Sequence, residues 1–294
     1  MANINQRIIK HIDGGIYGLA GYYSDNDKTQ HVIVAMRNGS LYEIHWNLQS
    51  SPSNPQRLAQ FGGLACLTGF YSPDDNYQKV IVATSDAVLH EVYFFQPQHP
   101  TTRSPLIRLH SVVGIGMAGF YSPDDQLRHA VVVDSDGELH DVYWNPQQSP
   151  EEEDFPTQFN LQDIASISGF YAPDDLSRHI VVALKDGQLY DVHYSGQQQA
   201  ASAEFLTRFD EGLINVAAFF SPDTNFRHFI VLTSSGQVYD YSRSLQSEFG
   251  KVPLASFGNV ADMTAYYSAY DRLRHAIIAT RDGNVHEVNY PQLG

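Results

Sequence analysis

The 294-residue sequence contains a single cysteine, Cys66, so no disulfide can form within the chain. Basic residues are scarce, with 18 lysines and arginines against 33 aspartates and glutamates. The net charge of −15 argues against a nucleic-acid partner, because phosphate binding requires clustered basic side chains. No segment reaches the roughly 18 apolar residues of a membrane helix, and the first residues contain no secretory signal. We therefore expect no membrane insertion, in a protein that is cytoplasmic or exported without a recognisable signal peptide.

The sequence consists largely of one unit that recurs six times. The third copy reads GFYSPDDQLRHAVVVDSDGELHDVYW, and the others follow the same pattern. The copies start 47 to 50 residues apart, at Gly21, Gly69, Gly119, Gly169, Ala218 and Ala265. A near-constant period of this length is typical of a solenoid, a propeller or a linear array, and the secondary structure within the unit distinguishes them.

The third unit has the pattern of four short strands. Residues 115–121 are apolar and aromatic, and a Ser-Pro-Asp-Asp turn ends them, because proline presets the turn geometry. A β-branched segment at 129–133 is followed by Asp136-Gly137, which is typical of a tight hairpin, and by a third strand at 139–144. A loop then leads to a fourth strand, predicted at 157–161. Because no window has helical periodicity, each unit is predicted to be a four-stranded antiparallel sheet.

The arrangement of the six sheets follows from strands two and three, which are apolar on both faces and must be covered on both. Radial stacking provides this cover, so we predict an all-β, six-bladed β-propeller that forms one domain over residues 1–294. Residues 6–13 match the fourth strand of the first unit, which the sixth unit lacks, so the N-terminal strand is expected to complete the last blade. The blades are expected at residues 16–61, 64–109, 114–161, 164–209, 213–257, and 260–291 plus 6–13.

Strand three of every unit contains an acidic residue directly after a histidine or tyrosine. These acids are Glu43, Glu91, Asp141, Asp191, Asp240 and Glu287. A carboxylate in a strand packed on both faces is costly unless it is paired or hydrogen-bonded. The candidate partners lie at the start of strand two and are four arginines and the histidines beside them: Arg128, Arg178, Arg227 and Arg274, with His129, His179, His228 and His275.

Two interpretations of these polar residues remain open. In the first, they form a buried network of acids with histidines and arginines that holds neighbouring blades together. In the second, they form a ligand-binding pocket that repeats in each blade, with aromatic walls that include Trp46 and Trp144.

The thirteen histidines do not indicate a metal centre. A histidine that recurs once per blade is spread around a ring, whereas a zinc site needs three or four ligands at one point. Catalysis would require unlike groups that break the repeat. The few positions that do so, among them Lys79, Ala87 and Asp134, form no recognisable acid–base or nucleophile set. We therefore expect no enzyme activity, no metal and no cofactor.

The units resemble those of the six-bladed fucose-binding lectins of fungi and soil bacteria. The resemblance lies in the repeat length and in the strand-three pattern of glycine, acid and aromatic residue, seen here in residues 39–46 and 137–144. In that family the acid binds sugar hydroxyls together with a strand-two arginine and an aromatic ring. The positions that correspond to that arginine hold no basic residue here: Val32, Val80, Ala130, Ile180, Phe229 and Ala276.

These features favour a non-enzymatic, multivalent binding protein with a carbohydrate or glycoconjugate as its ligand, since weak equivalent pockets gain avidity by repetition. The alternative is a scaffold for protein–protein interactions. Its candidate surface is the face with the connections between strands three and four, which vary in length and are rich in proline, glutamine and serine. One of these connections, predicted at 145–157, contains the acidic run at 151–154.

Overall fold

The computed structural model describes residues 4–94, 102–155, 163–195 and 201–293. These residues form six four-stranded antiparallel sheets, the blades of the protein, and so confirm the predicted all-β, six-bladed propeller. The first strands of all six blades surround one central channel. Within the described ranges, no helix is long and apolar enough to cross a membrane.

Each of the first three blades consists of four strands that are consecutive in the chain. Blade 1 contains β2 (Ile16–Ser24), β3 (Thr29–Met36), β4 (Ser40–Trp46) and β5 (Gln56–Gln60). Blade 2 contains β6 (Leu64–Ser72), β7 (Tyr77–Thr84), β8 (Val88–Phe94) and β9 (Thr102–Arg108). Blade 3 contains β10 (Met117–Ser122), β11 (Leu127–Val133), β12 (Leu139–Asn145) and β13 (Gln148–Phe155).

The last three blades follow the same order, except that blade 6 takes its outer strand from the N-terminus. Blade 4 contains β14 (Ile164–Ala172), β15 (Ser177–Leu184), β16 (Gln188–Tyr194) and β17 (Ser202–Arg208). Blade 5 contains β18 (Leu213–Ser221), β19 (Phe226–Thr233), β20 (Gln237–Arg243) and β21 (Glu248–Ser256). Blade 6 contains β22 (Val260–Ser268), β23 (Leu273–Thr280), β24 (Asn284–Tyr290) and β1 (Asn5–His11).

The ring closes as predicted, because β1 pairs antiparallel with β24. Asn5 lies opposite Asn289, so the first described strand begins beside the end of the last one. Arg7 forms an ion pair with the buried Glu287, and Ile12 donates a backbone hydrogen bond to the hairpin of blade 6. Backbone pairing and a charged contact therefore hold the two ends of the chain together.

The core consists of apolar clusters between neighbouring blades. Strand two of each blade is buried over nearly its whole length, and its side chains contact both adjoining blades. Between blades 2 and 3, for example, one cluster includes Phe70, Val132 and Trp144. Blade-to-blade packing explains why these strands are apolar on both faces in the sequence.

The hairpin between strands two and three also positions the outer strand. Gly39 has a φ of 84° in the hairpin of blade 1, and its carbonyl accepts a hydrogen bond from Phe61, just after β5. A Cβ atom at Gly39 would lie 1.9 Å from the Phe61 carbonyl oxygen. Glycine is therefore required here for both its conformation and its lack of a side chain.

The fourth strand of blade 3 differs from the prediction. β13 covers Gln148–Phe155, so the acidic run at 151–154 lies in a strand and not in a loop. Asp154 lies opposite His140 of β12. An outer strand has a solvent-exposed side and edge, which accommodate charged side chains that the buried strands would exclude. The strand predicted at 157–161 falls outside the described residues.

Candidate functional site

The strand-three acids are all buried, with exposed fractions between 0% and 7%: Glu43, Glu91, Asp141, Asp191, Asp240 and Glu287. The four histidines are buried as well, with at most 3% exposed: His129, His179, His228 and His275. A ligand could contact these groups only if packed strands separated. Their burial favours the interpretation as a structural network, and their assignment to a ligand stays a prediction.

The polar groups of blade 3 form a chain of contacts that ends on blade 4. His129 Nδ1 lies 2.8 Å from Asp141 Oδ2, and its Nε2 lies 3.7 Å from Asp125 Oδ2. Arg178, on strand two of blade 4, contacts Asp125 Oδ2 at 2.5 Å. The hydroxyl of Tyr194, also on blade 4, donates to Asp141 Oδ2 at 2.8 Å. These contacts connect the two blades through charged groups.

The same arrangement recurs around the ring. In the other blades a histidine, or Lys79 in blade 2, lies 2.6 to 3.7 Å from the strand-three acid. At four junctions an arginine of the following blade contacts the turn acids of the preceding one: Arg128, Arg178, Arg227 and Arg274. Gln78 and Gln30 make the corresponding contacts at the other two junctions.

The carboxylates change the protonation of the buried histidines. Burial lowers the pKa of His129, but Asp141 and Asp125 outweigh that effect and raise the pKa to about 9. The pKa of His31 is also raised to about 9, by its two neighbouring carboxylates against the effect of burial. Both imidazoles are therefore positively charged at neutral pH, and each compensates a buried acid.

The two tryptophans expected to form aromatic walls are also buried, with 2% of Trp46 and 3% of Trp144 exposed. Trp144 Nε1 donates to Glu91 Oε1 of the preceding blade at 3.3 Å. Trp46 packs in the apolar cluster between blades 6 and 1. Neither ring presents an open face at the surface, so both contribute to the packing of blade against blade.

The central channel has a volume of about 610 Å³ and contains unlike groups that the sequence did not reveal. One level of the channel is formed by corresponding strand-one residues of the six blades: Gly18, Cys66, Gly116, Ser166, Asn215 and Asp262. The polar side chains of this ring lie on one side of it, in blades 4 to 6, because the three positions in blades 1 to 3 hold only glycine or a buried thiol. Comparison of the repeats position by position would have singled out Asp262.

Asp262 is the one carboxylate that lines the channel among the described residues. Its Oδ2 accepts the Leu19 backbone N–H at 2.6 Å, and its Oδ1 accepts a hydrogen bond from the Asn215 amide. Burial raises the pKa of Asp262 to about 6 and that of the Cys66 thiol to about 12. The acid is held by donors from two neighbouring blades, and the protonated thiol is a poor nucleophile. Among the described residues that line the channel, no second carboxylate and no histidine accompanies Asp262.

A second cavity, of about 340 Å³, opens between blades 2 and 3 on the face that carries the Ser-Pro-Asp-Asp turns. We call it the 2/3 groove; its lining residues are Asp74, Tyr121, Pro123, Gln126, Asn145, Pro146 and Gln147. The buried Arg128 contacts one of these lining residues, Asp74, at 2.9 Å. The groove thus combines a half-buried aromatic ring, a carboxylate and three side-chain amides in one accessible place.

The aromatic position of the 2/3 groove is repeated at every junction. The second-last residue of strand one is aromatic and half-buried in all six blades: Tyr23, Tyr71, Tyr121, Tyr171, Phe220 and Tyr267. This aromatic residue recurs in every copy of the sequence repeat, but the repeat by itself indicates no function for it. The sequence does not show that this ring is half-buried, because successive side chains of strand one face different surroundings: the channel, the core or a groove.

The outer edge of blade 3 assembles a further cluster that breaks the symmetry. His140, from the third strand, lies between Asp134 on one side and Glu152 and Asp154 on the other, at 2.7 to 3.2 Å. The sequence singled out Asp134 and the acidic run separately but predicted no metal. The two came together only because β13 pairs with β12, where a loop was expected.

Comparison with solved structures identifies similar propellers. AofleA from Arthrobotrys oligospora has a TM-score of 0.72 at 9% identity, over 99% of this chain and 90% of that one. The fucose-specific lectin from Aleuria aurantia has a TM-score of 0.71 at 10% identity, over 96% of this chain and 97% of that one. BP39L lectin from Burkholderia pseudomallei has a TM-score of 0.63 at 16% identity, over 97% of this chain and 80% of that one. No protein-family model and no curated protein matches the sequence. The chain therefore shares its overall fold with these three proteins, at sequence identities that show the fold alone.

Proposed function

We propose that this protein is a non-enzymatic, multivalent carbohydrate-binding protein whose ligands occupy the grooves between blades. The 2/3 groove is the observation that supports this most directly, because it is open to solvent while the strand-three acids are sealed in the core. The protein would act in the cytoplasm or after export without a recognisable signal peptide.

The groove has the chemistry that a saccharide requires. A tyrosine ring packs against the apolar C–H face of a pyranose, and its hydroxyl can exchange hydrogen bonds with the sugar. The Asp74 carboxylate accepts from hydroxyl groups, and the amides of Gln126 and Gln147 both donate and accept. Arg128 fixes the position of the carboxylate, so its geometry is set before the ligand binds.

Repetition of the aromatic ring and the arginine–aspartate pair of the 2/3 groove would account for multivalent binding. Four junctions combine the half-buried aromatic ring with an arginine–aspartate pair, whereas the junctions with Gln78 and Gln30 lack the arginine. Sites on one rigid ring engage a surface of repeated glycans together, which multiplies weak affinities. Two of the three similar solved structures are lectins, and the one from Aleuria aurantia is described as fucose-specific, so fucosides are the first probes.

A glycan array with the fluorescently labelled protein tests the proposal, followed by calorimetric titration with the methyl glycoside of the best hit. We expect saturable binding with more than one site per chain. Tyr121→Ala and Gln147→Ala should each weaken the 2/3 groove about tenfold, equivalent to ~1.4 kcal/mol. Tyr17→Ala is the matched control, because Tyr17 is 39% exposed but lines the central channel.

A blank array with correctly folded protein would overturn carbohydrate binding and favour the protein-interaction scaffold. Glycan binding that Tyr121→Ala leaves intact, in both affinity and stoichiometry, would instead place the ligand somewhere other than the 2/3 groove. Loss of binding in Tyr17→Ala would move the site to the channel.

A further inference from the structure

The outer edge of blade 3 contains a buried histidine surrounded by carboxylates. His140 is 8% exposed, and its Nδ1 lies 2.7 Å from Asp154 Oδ1 and 3.0 Å from Glu152 Oε1. On the other side of the ring, Nε2 lies 3.2 Å from Asp134 Oδ2. Neither ring nitrogen makes a hydrogen bond of acceptable geometry with these groups.

The contacts at Nδ1 are poorly explained by protonation alone. A ring N–H points in one direction within the ring plane and can serve one acceptor well, whereas two carboxylate oxygens converge on this nitrogen. No lysine or arginine of the described residues forms an ion pair with Asp134, Glu152 or Asp154. Three carboxylates around one imidazole leave an excess of negative charge at the strand edge.

We propose that His140 Nδ1, Glu152 and Asp154 bind a divalent transition-metal ion such as Zn²⁺. One ligand atom of each residue lies within 4.8 Å of the others, which places all three around a single point. One imidazole and two carboxylates form a mixed nitrogen–oxygen donor set that suits Zn²⁺, and three protein ligands leave a position for water. The Glu152 and Asp154 side chains are 30% and 67% exposed, so an ion can enter from solvent.

Asp134 is positioned to accept a hydrogen bond from His140 without binding the metal itself. A histidine that binds metal through one nitrogen usually directs its other N–H to a carboxylate, which fixes the tautomer. Asp134 Oδ2 lies near Nε2, while its Oδ1 accepts the backbone N–H groups of Asp136 and Glu138 at 2.9 Å and is held in the hairpin. This engagement also favours the Nδ1 side over the alternative group of Asp134, Glu138 and His140.

Blades 2 and 6 provide an internal comparison, because His90 and His286 occupy the same strand-three position. There the residue at the Asp134 position is Thr84 or Thr280. The strand-four residue opposite the histidine is Pro105 or Ile8, where blade 3 has Asp154. These two imidazoles pack against Phe61 and Phe257, with ring centroids 5.2 and 5.0 Å apart. Only blade 3 surrounds the repeated histidine with acids among the described residues.

Zinc titration by calorimetry tests the proposal, with the full chain first freed of metal by EDTA and gel filtration. We expect one equivalent of Zn²⁺ to bind with a Kd below 10 µM, on the order of −7 kcal/mol or stronger. This equivalent should be lost in His140→Gln and in the double variant Glu152→Gln/Asp154→Asn, whose side chains are exposed enough to spare the fold. Asp134→Asn should weaken binding about 10- to 100-fold.

His286→Gln is the matched control, because it removes an imidazole from the same strand position without touching the acids. A second readout is the nitrogen chemical shift of His140 in a two-dimensional NMR spectrum, where Nδ1 should move on addition of Zn²⁺. The proposal is wrong if the wild-type chain binds no equivalent with a Kd below 100 µM, on the order of −5.5 kcal/mol. It is also wrong if the double variant binds as the wild type does, or if His286→Gln loses the same equivalent.

Discussion

Asp141→Asn separates the structural from the ligand-binding role of the strand-three acids. The substitution keeps the shape of the side chain and removes the charge that faces His129 at 2.8 Å. The pKa of His129 is about 9, against 6.5 for an ordinary histidine, and this difference corresponds to about 3 kcal/mol of stability. Asp125 supplies part of this shift, so we expect Asp141→Asn to lower the free energy of unfolding by about 2–3 kcal/mol near pH 6.5.

The pH dependence identifies the cause of the loss. A raised histidine pKa stabilises the fold fully below the unfolded pKa of 6.5, and this stabilisation disappears as the pH rises through about 9. The difference between wild type and variant should therefore shrink to less than about 1 kcal/mol at pH 9.5. Urea unfolding followed by tryptophan fluorescence at both pH values measures it.

Asp136→Asn is the control for this experiment, because it removes an exposed carboxylate from the hairpin of the same blade. Its stability should stay within about 0.5 kcal/mol of the wild type. If Asp141→Asn keeps wild-type stability at pH 6.5 but abolishes glycan binding, the buried-network interpretation is refuted and the acid contacts ligand. Lower stability with intact glycan binding would confirm the network.

Three further predictions concern the frame of the propeller. Gly39→Ala should lower the free energy of unfolding by at least about 2 kcal/mol, because φ is positive and the added Cβ meets the Phe61 carbonyl. Gly62 has open space around it, so Gly62→Ala should leave the free energy of unfolding nearly unchanged in the same urea titration. A circular permutant that starts at Gly14 and carries residues 1–13 after Gly294 should fold with an unchanged circular dichroism spectrum, because Asn5 already lies opposite Asn289. Deletion of residues 1–13 should destabilise by about 3–6 kcal/mol, since it exposes the sites of the buried Ile9 and Ile12; deletion with no loss would contradict the role of β1.

The sequence was a reliable guide wherever the repeat imposes the answer. Hairpin residues such as Gly39, apolar two-faced strands and the match between residues 6–13 and the first unit were enough to predict the blades and the closure by β1. Blade 3 shows where the repeat misleads. Its fourth strand was aligned with the others at 157–161, but β13 begins at Gln148, because a two-residue connection suffices for antiparallel pairing.

The candidate sites were harder to predict, because a repeat shows which residues recur but not which of them reach solvent. The strand-three acids recur in all six blades and proved to be buried, whereas the tyrosine of the 2/3 groove is half-buried and was used only as a marker of the unit. The cluster around His140 depends on the register of β13, which no local pattern encodes.

The amino-acid sequence by itself determined the six-fold repeat, the all-β blades and the ring. Turn residues and strands that are apolar on both faces act locally, and they recur in all six units. Only the tertiary structure decided which polar groups are sealed between blades and which face a groove, the channel or the outer edge. That distinction depends on how neighbouring sheets pack, which brings together residues about fifty positions apart such as Asp125 and Arg178. It also depends on the register of the outer strands, which places Asp154 opposite His140.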